Sequence, residues 1–303
     1  MISVTLPHYT SLEQAITELY GADKKVVQTS RISGGDINDA YGLKLSDGTR
    51  LFMKSNAREN VSFFTCEAVG LQAIAMTQAI STPSILCSGV DEARGGCAFL
   101  LMDFIMGGSR VANYWETLGR QLAAMHQTST AELISEGNYG FLQDNYIGAR
   151  KQMNTPHDKW IPFFRDCRLT PQFADAANCF TQSERRNISK LLEHLQDYLV
   201  EPEHPSLLHG DLWSGNVMAG DDGKAWLIDP AVYVGHAEAD LAMTELFGGF
   251  PDTFYAAYKE VFPMQSGYEH RRDLYNLYQL LNHLNLFGGS YLPSVRRIVG
   301  KYI

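Results

Sequence analysis

The chain lacks the cysteine pairs that would staple a fold. Its five cysteines, Cys66, Cys87, Cys97, Cys167 and Cys179, are odd in number and form no C-x-x-C pair, which argues against a disulfide framework or a zinc knuckle and for reduced, structural thiols. Positive charge is also short: 25 Lys and Arg stand against 34 Asp and Glu, a formal net charge of -9. No bulk positive field exists to hold nucleic acid or an anionic membrane. An anionic small substrate would need a local lysine, backbone N–H groups or a metal to reverse the sign at its site. No stretch approaches ~18 uncharged apolar residues, and the most apolar run, from Cys97 to Met106, is broken by Asp103. The opening MISVTLPHYT shows no basic region followed by an apolar one. Together these absences lead us to expect a soluble, cytoplasmic protein that partners neither nucleic acid nor membrane. Repeats, low-complexity tracts and long linkers are missing too, so a domain boundary has to be short and packed. What is present is a globular composition: 303 residues, 45% hydrophobic and 11% aromatic, enough chain for two domains or one large one.

The first third differs in texture from the rest. Thr10-Ser11-Leu12-Glu13 reads as a capping box ahead of a short helix carrying Leu12, Ala15, Ile16 and Leu19. Strand-like segments follow from Lys25 to Ile32, Ala40 to Leu45 and Arg50 to Lys54, with Asp47-Gly48 as a hairpin turn. A helix from about Val61 to Ala79 precedes strands at about Ser84 to Ser88 and Cys97 to Asp103, which predicts five strands and one crossing helix. Beyond Val111 the pattern turns helical: Trp115 to His126, Asp158 to Leu169, a second capping box Thr181-Gln182-Ser183-Glu184 before a helix to Leu199, and several helices after Glu238. Short strands at Ser206 to His209, Asn216 to Ala219 and Ala225 to Asp229 interrupt it. The reading is a small β-rich lobe, residues 1–105, and a larger helical lobe, residues 106–303, joined by a short linker near Phe104 to Ser109. Two lobes are a common setting for a ligand cleft.

Chemistry concentrates in one segment, His209-Gly210-Asp211-Leu212-Trp213-Ser214-Gly215-Asn216, followed after a hairpin by Ile228-Asp229-Pro230. A hairpin folds its far end back toward its start, so Asp211, Asn216 and Asp229 can converge. Such a set suits phosphoryl transfer, with one carboxylate accepting a hydroxyl proton while Asn and the second Asp offer oxygen ligands to Mg²⁺ on nucleotide phosphates. Read singly, these residues are ordinary turn formers; the three-part arrangement is what carries the assignment. The small lobe supplies complementary parts. Ser33-Gly34-Gly35-Asp36 lies between two strands and leaves backbone N–H groups open to phosphate, or is simply a tight turn. Glu67 falls on or beside an apolar helix stripe and needs a partner, for which Lys54 is the economical choice. Trp213 offers a ring to a sugar or packs beneath its loop. His283 and the series Phe247, Phe250, Phe254, Tyr255 and Tyr258 read as helix packing, though part of the series has the chemistry to line an acceptor side.

The stretches SGGDINDAY, LFMKSN, FFTCEAVGL, LLMDFI, LLHGDLWSGNVM, WLIDPAVYVGHAEADLAMTELFGGF and LYQLLNHLNLFGGSYL resemble the fructosamine kinase, or ketosamine 3-kinase, family across nearly the whole chain. The resemblance implies an α+β, bilobal protein-kinase-like fold related to aminoglycoside and choline phosphotransferases. It implies that Asp211 is the catalytic base, that Asn216 and Asp229 hold Mg²⁺, and that Lys54, paired with Glu67, contacts ATP. It further implies that Gly34 and Gly35 cover the phosphates, that Leu101, Met102, Asp103 and Phe104 form the adenine hinge, and that Asp240 braces the catalytic loop. The implied reaction is transfer to the 3-hydroxyl of a small-molecule or protein-bound ketosamine, a deglycation repair. Some family members carry Cys in the Gly-rich loop where this chain has Asp36, so redox control through that loop is not expected. Aminoglycoside, choline or homoserine phosphotransfer and a non-catalytic nucleotide-binding role are the competing readings. Pro230-Ala231 after Asp229, with no D-F-G or A-P-E element, argues against a protein kinase.

Overall fold

A computed structural model of the chain describes residues 6–33, 37–134 and 137–303. It divides into two compact units: residues 6–112 with Met218–Asp229, and Asn113–Val217 with Pro230–Ile303. Gly34, Gly35 and Asp36 of the expected phosphate-covering loop lie outside the described residues.

The first unit is built on β1 (His8–Tyr9), α1 (Leu12–Tyr20), β2 (Val26–Ile32), β3 (Asp39–Leu45), β4 (Arg50–Asn56), α2 (Val61–Met76), β5 (Ile85–Asp91) and β6 (Cys97–Asp103). The sheet order is β1-β5-β6-β4-β3-β2, six strands where the sequence suggested five. The extra strand is two residues long, too short to show alternation, and pairs parallel to β5 through His8 opposite Ser88. The first helix is capped one residue later than expected: Ser11 Oγ accepts the Gln14 N–H at 3.1 Å, and Gln14 Oε1 accepts from the Thr10 N–H. Both registers fit the capping pattern; this one starts the helix at Leu12 and sinks Leu12, Ala15 and Ile16 into the core.

Period-two alternation decides which side chains face which helix. Phe99 and Leu101 of β6 pack with Leu51 and Met53 of β4 against Leu12, Ala15 and Ile16. Ala98, Leu100 and Met102 point the other way, onto Phe64 and Ala68 of α2, with Phe52 beside them. Lys54 follows Phe52 by two residues and pairs in register with Leu100. The alternation that buries Leu51 and Met53 under α1 therefore delivers the Lys54 ammonium to α2.

The second unit contains α3 (Tyr114–His126), β7 (Asn145–Ile147), β8 (Arg150–Gln152), α4 (Trp160–Phe163), α5 (Thr170–Asp175), α6 (Gln182–Glu193) and β9 (Ser206–Leu208). After β10 (Val217–Ala219) and β11 (Ala225–Leu227) come β12 (Tyr233–Gly235), α7 (Glu238–Leu246), α8 (Asp252–Val261), α9 (Tyr268–Phe287) and α10 (Leu292–Lys301). The capping box at Thr181 and Glu184 forms as expected, but its helix stops at Glu193. The helix expected to end at Leu169 instead runs on through a widened π-turn, Phe164–Leu169, into α5. That turn carries Arg168 inward: the guanidinium lies 3.9 Å over the Tyr233 ring and donates to Asn154 Oδ1 at 2.7 Å. A charge so used cannot be told from a surface charge by periodicity. The β10–β11 hairpin packs with the first unit, where the Leu227 N–H donates to Ser81 O at 2.9 Å and the Gly108 N–H to Ala219 O at 3.1 Å.

His236 shows how dry the second unit's interior is. It is 5% exposed beside Trp160 and Tyr275, and Tyr275 Oη lies 2.8 Å from its Nδ1. Burial, helped by the charge of Arg271, pushes its pKa down to about 3. The unfolded chain therefore binds this proton from about pH 6.5 downward while the folded chain refuses it, so stability falls as pH drops through that window. The slope from this one group is roughly 1.4 kcal/mol per pH unit. Melting temperatures measured between pH 6.5 and 4.5 are expected to fall more steeply for wild type than for His236→Gln; equal slopes would place the acid sensitivity elsewhere.

Candidate active site

The segment after β9 is gripped by its backbone. Asp240, 1% exposed on α7, accepts the His209 N–H at Oδ2 (2.7 Å) and the Gly210 N–H at Oδ1 (2.9 Å). The Gly210 carbonyl accepts from Gln279 Nε2 of α9 at 2.9 Å, and the His209 carbonyl accepts the Ala231 N–H at 2.8 Å. Asp240 is itself oriented. His126 Nε2 lies 3.2 Å from its Oδ2, and His126 Nδ1 lies 2.7 Å from the Tyr258 hydroxyl. Burial raises Tyr258 well above its ordinary value, so Tyr258 donates to Nδ1 and His126 donates from Nε2 to the carboxylate. His209 is fully buried, and its Nδ1 accepts the Asp211 N–H at 3.3 Å, a structural role for a histidine next to the expected base.

Gly210 has φ +82°, and a Cβ there would sit 2.1 Å from the Ala231 carbonyl oxygen. A side chain at this position strains the backbone and collides with the Ala231 carbonyl in the segment leading into β12. Gly210→Ala is expected to cost at least about 1–3 kcal/mol of stability, read from the urea midpoint. An unchanged midpoint would mean that the loop has another conformation open to it.

Past that grip the chain turns through Ser214–Asn216. Asn216 is buried and donates from Nδ2 to the Asp211 carbonyl at 2.8 Å and to its carboxylate Oδ2 at 3.1 Å. The Asp211 carboxylate is thus aimed by Asn216, while Asn216 Oδ1 has no hydrogen-bond partner among the described residues. Trp213, 39% exposed, lays its ring over Gly215, where a Cβ would be 2.3 Å from the indole. The ring has packing on one side and solvent on the rest.

The first unit assembles a second cluster. Lys54 Nζ lies 2.6 Å from Glu67 Oε1 and 2.5 Å from Asp229 Oδ1, although Asp229 is 175 residues away in sequence. Glu67 stands one turn past Phe64 on the face of α2 that meets the sheet, which brings its carboxylate to Lys54. Burial alone would push the Lys54 pKa down; the carboxylates of Asp229 and Glu67 outweigh it, and the net direction is up. The ammonium stays charged. Burial pushes Glu67 up against the opposing pull of Lys54. Asp229 adopts φ +54°, a backbone setting shared with Gln78 alone among described non-glycine residues. That kind of strain clusters at functional positions. Its side chain is 42% exposed, and Oδ2 has no partner among the described residues.

Asn216 Oδ1 in the second unit and Asp229 Oδ2 in the first are each a hard oxygen donor of the kind that Mg²⁺ takes. Leu101 and Met102 fit an adenine hinge less well than the sequence suggested. Both lie in β6 with ladder partners on β4 and β5 and have buried side chains, whereas the chain leaves the sheet after Asp103. Phe104 marks that exit, with the Arg50 guanidinium 4.0 Å over its ring. The residues that sequence reasoning missed are His126 and Gln279. Their signal was weak but present: Gln279 is a polar residue inside the apolar run of α9, and His126 ends α3 on its buried side.

The sequence profile of the fructosamine kinase family matches residues 8–303. A Synechocystis sp. protein named "probable ketoamine kinase" is 37% identical over 96% of this chain and 95% of its own length. The chloroplastic protein-ribulosamine 3-kinase of Oryza sativa subsp. indica is 39% identical, covering 93% of this chain and 81% of the relative. Among solved structures, a Haemophilus somnus protein provisionally named fructosamine-3-kinase superposes with a TM-score of 0.84 at 27% identity, covering 97% of both chains. An aminoglycoside phosphotransferase superposes at 0.62 with 16% identity over 96% of this chain and 99% of its own, which shows the shared fold alone. The six-stranded sheet with its crossing helix, the mainly helical second unit and the braced His209-Gly210-Asp211 turn are this chain's version of that protein-kinase-like fold, and the chain belongs to the fructosamine kinase family.

Proposed function

We propose that the protein is an ATP-dependent kinase that phosphorylates the 3-hydroxyl of a ketosamine, a fructosamine- or ribulosamine-type adduct, free or protein-bound. The observation that carries this reading is the Lys54 ammonium, buried and held charged between Glu67 and Asp229. A fixed cation next to a half-exposed carboxylate is what a nucleotide's phosphates and their counter-ion require. The unit of residues 6–112 with Met218–Asp229 then serves the nucleotide, and Asn113–Val217 with Pro230–Ile303 presents the acceptor, a division displaced from the 1–105 and 106–303 read in the sequence.

In this mechanism Asp211 accepts the proton of the 3-hydroxyl as its oxygen bonds to the γ-phosphorus and the ADP oxygen leaves. Asn216 holds the Asp211 carboxylate in the accepting orientation. Lys54 faces the phosphate oxygens with Glu67 fixing its direction; Gly34 and Gly35, outside the described residues, are the residues whose backbone N–H groups the family resemblance assigns to the phosphates. Mg²⁺, when bound, spreads the phosphate charge, and Asn216 and Asp229 are the residues to hold it. Adenine-edge contacts fall to Asp103 and Phe104 where the chain leaves β6, with Leu101 and Met102 supporting them from within the sheet. Trp213 offers its exposed ring to the sugar. The 3-phosphate product decomposes and frees the amine, a deglycation repair. A cytoplasmic setting accords with reduced cysteines; among the described residues no helix is long and apolar enough to cross a membrane.

The test is ADP formation by purified protein with ATP, Mg²⁺ and synthetic ribulosamines and fructosamines, beside aminoglycosides, choline and homoserine as competing acceptors. Turnover on a ketosamine with loss of its 3-hydroxyl to phosphate supports the reading. Turnover confined to another acceptor class would replace it.

A further inference from the structure

Residues 231–234 run beside the His209-Gly210-Asp211 turn and are held along both edges. On one edge β12 pairs with β9, Tyr233 opposite Leu208. On the other, residues 140–152 grip the segment at three points. Gly140 exchanges both backbone hydrogen bonds with Val234, Asn145 Nδ2 of β7 donates to the Val232 carbonyl at 2.7 Å, and Gln152 Nε2 of β8 donates to the Ala231 carbonyl at 2.9 Å. All of these residues belong to the second unit. The β7–β8 hairpin joins no other strand among the described residues; these side-chain bonds are what it contributes to the turn.

Gln152 is buried, and both ends of its amide are used. Nε2 also donates to Asn145 Oδ1 at 2.8 Å, and Oε1 accepts the Tyr278 hydroxyl at 2.7 Å. Backbone carbonyls only accept, so Ala231 and Val232 fix which way the Gln152 and Asn145 amides face. Burial, with a smaller contribution from the Asp211 charge, raises the Tyr278 pKa against the pull of Arg168, so the hydroxyl keeps its proton and donates it. Tyr278 precedes Gln279, whose side chain donates to the Gly210 carbonyl. Helix α9 thus reaches the turn twice, once directly and once through Tyr278, Gln152 and Ala231. The last link is close. The Ala231 N–H donates to the His209 carbonyl at 2.8 Å, and the Ala231 carbonyl oxygen, the one that Gln152 holds, is the atom that leaves no room for a Cβ at Gly210.

On the reading that Asp211 is the base, we propose that Gln152 is a positioning residue for it. Gln152 fixes the Ala231 carbonyl against Gly210, the N–H of Ala231 fixes His209, and the backbone from His209 to Asp211 is left with one setting. Without the Gln152 donor the buried Ala231 carbonyl has to turn toward another partner, because an unsatisfied carbonyl in a dry interior is costly. The turn packed on it then moves too. A shift on the order of 1 Å at a reacting group lowers the rate about 10²-fold. Gln152 acts through the turn, so its effect falls on kcat.

The test uses Gln152→Met, Tyr278→Phe and the two together, assayed for ADP formation with ATP, Mg²⁺ and whichever acceptor wild type turns over, at a temperature where urea unfolding shows each to be folded. Gln152→Met keeps the bulk of the side chain and loses both donors. Its kcat is expected to fall about 10- to 100-fold, with the KM for ATP and for the acceptor within about twofold of wild type. Tyr278→Phe removes one hydroxyl and decides the matter should Gln152→Met fold poorly; its kcat is expected to fall about 2- to 10-fold. Because that hydroxyl reaches the turn through Gln152, its loss should add nothing in the double variant. A folded variant of either kind with wild-type kcat, a loss confined to KM, or additive losses overturns the positioning role alone. Asp211→Asn is the control for the underlying reading: wild-type turnover in that variant, or no turnover by wild type on any acceptor, overturns the base assignment and the role of Gln152 with it.

Discussion

Asp211→Asn is expected to lower kcat about 10³-fold, within the 10²–10⁴ that a positioned base contributes, while the KM for ATP moves little. The amide keeps the size and shape of the carboxylate but cannot take a proton. It also changes what Asn216 meets: Nδ2 now donates to a carboxylate oxygen at 3.1 Å, and in the variant it faces an amide that must present its oxygen to keep the bond. The backbone brace is untouched, because Asp240 and Gln279 hold His209 and Gly210 through main-chain groups. Thermal stability should therefore stay within about 0.5 kcal/mol, the range of substitutions away from packed features. Asn216→Ala should fall between wild type and Asp211→Asn in kcat, having lost the bond that orients the Asp211 carboxylate. The measurement is ADP release with a saturating ribulosamine; a fall of less than tenfold in Asp211→Asn would move the base elsewhere.

The second large effect concerns Lys54 and separates stability from chemistry. Lys54→Met removes the cation from between two carboxylates, one with a side chain 12% exposed and the other 42%. Breaking a buried ion pair by deleting one partner costs about 3–5 kcal/mol, and the water open to Asp229 places this case near the lower end. Adding Glu67→Gln takes away the uncompensated buried charge, so the double variant should regain most of the lost stability in urea unfolding. It should regain no activity, since nothing then faces the phosphates. Recovery of both, or of neither, would deny Lys54 the double role.

The contrast between local and distant contacts explains what could be read from the chain alone. Strand alternation and capping boxes are local, and most elements lie within a few residues of expectation, from the Asp47-Gly48 hairpin to the helix after Thr181. Glu67 was legible because a carboxylate on an apolar stripe demands a partner. The lone β1 pair left no pattern. Arg168 shows the opposite failure, a charged residue whose burial depends on Asn154, Phe163 and Tyr233 all converging. The candidate site divides in the same way. Its Asp, Asn and second Asp are written in a motif, whereas the clamp behind it is assembled from α3, α7, α8 and α9, and no single stretch carries it.

The β10–β11 hairpin sets an order of events during synthesis. Residues 6–112 leave the ribosome first, with the strands of their sheet and both helices, yet Met218–Asp229 belongs to the same compact unit. Until that segment emerges, the Ser81 carbonyl lacks the Leu227 N–H, the Gly108 N–H lacks the Ala219 carbonyl, and the Lys54 ammonium has only one of its two carboxylates. At ~5–20 residues per second, synthesis of residues 113–217 takes about 5–20 seconds, in which the partners on Ser81, Gly108 and Lys54 are still missing. A truncated chain ending before the hairpin lacks these bonds permanently, since the hairpin that supplies them belongs to the same compact unit.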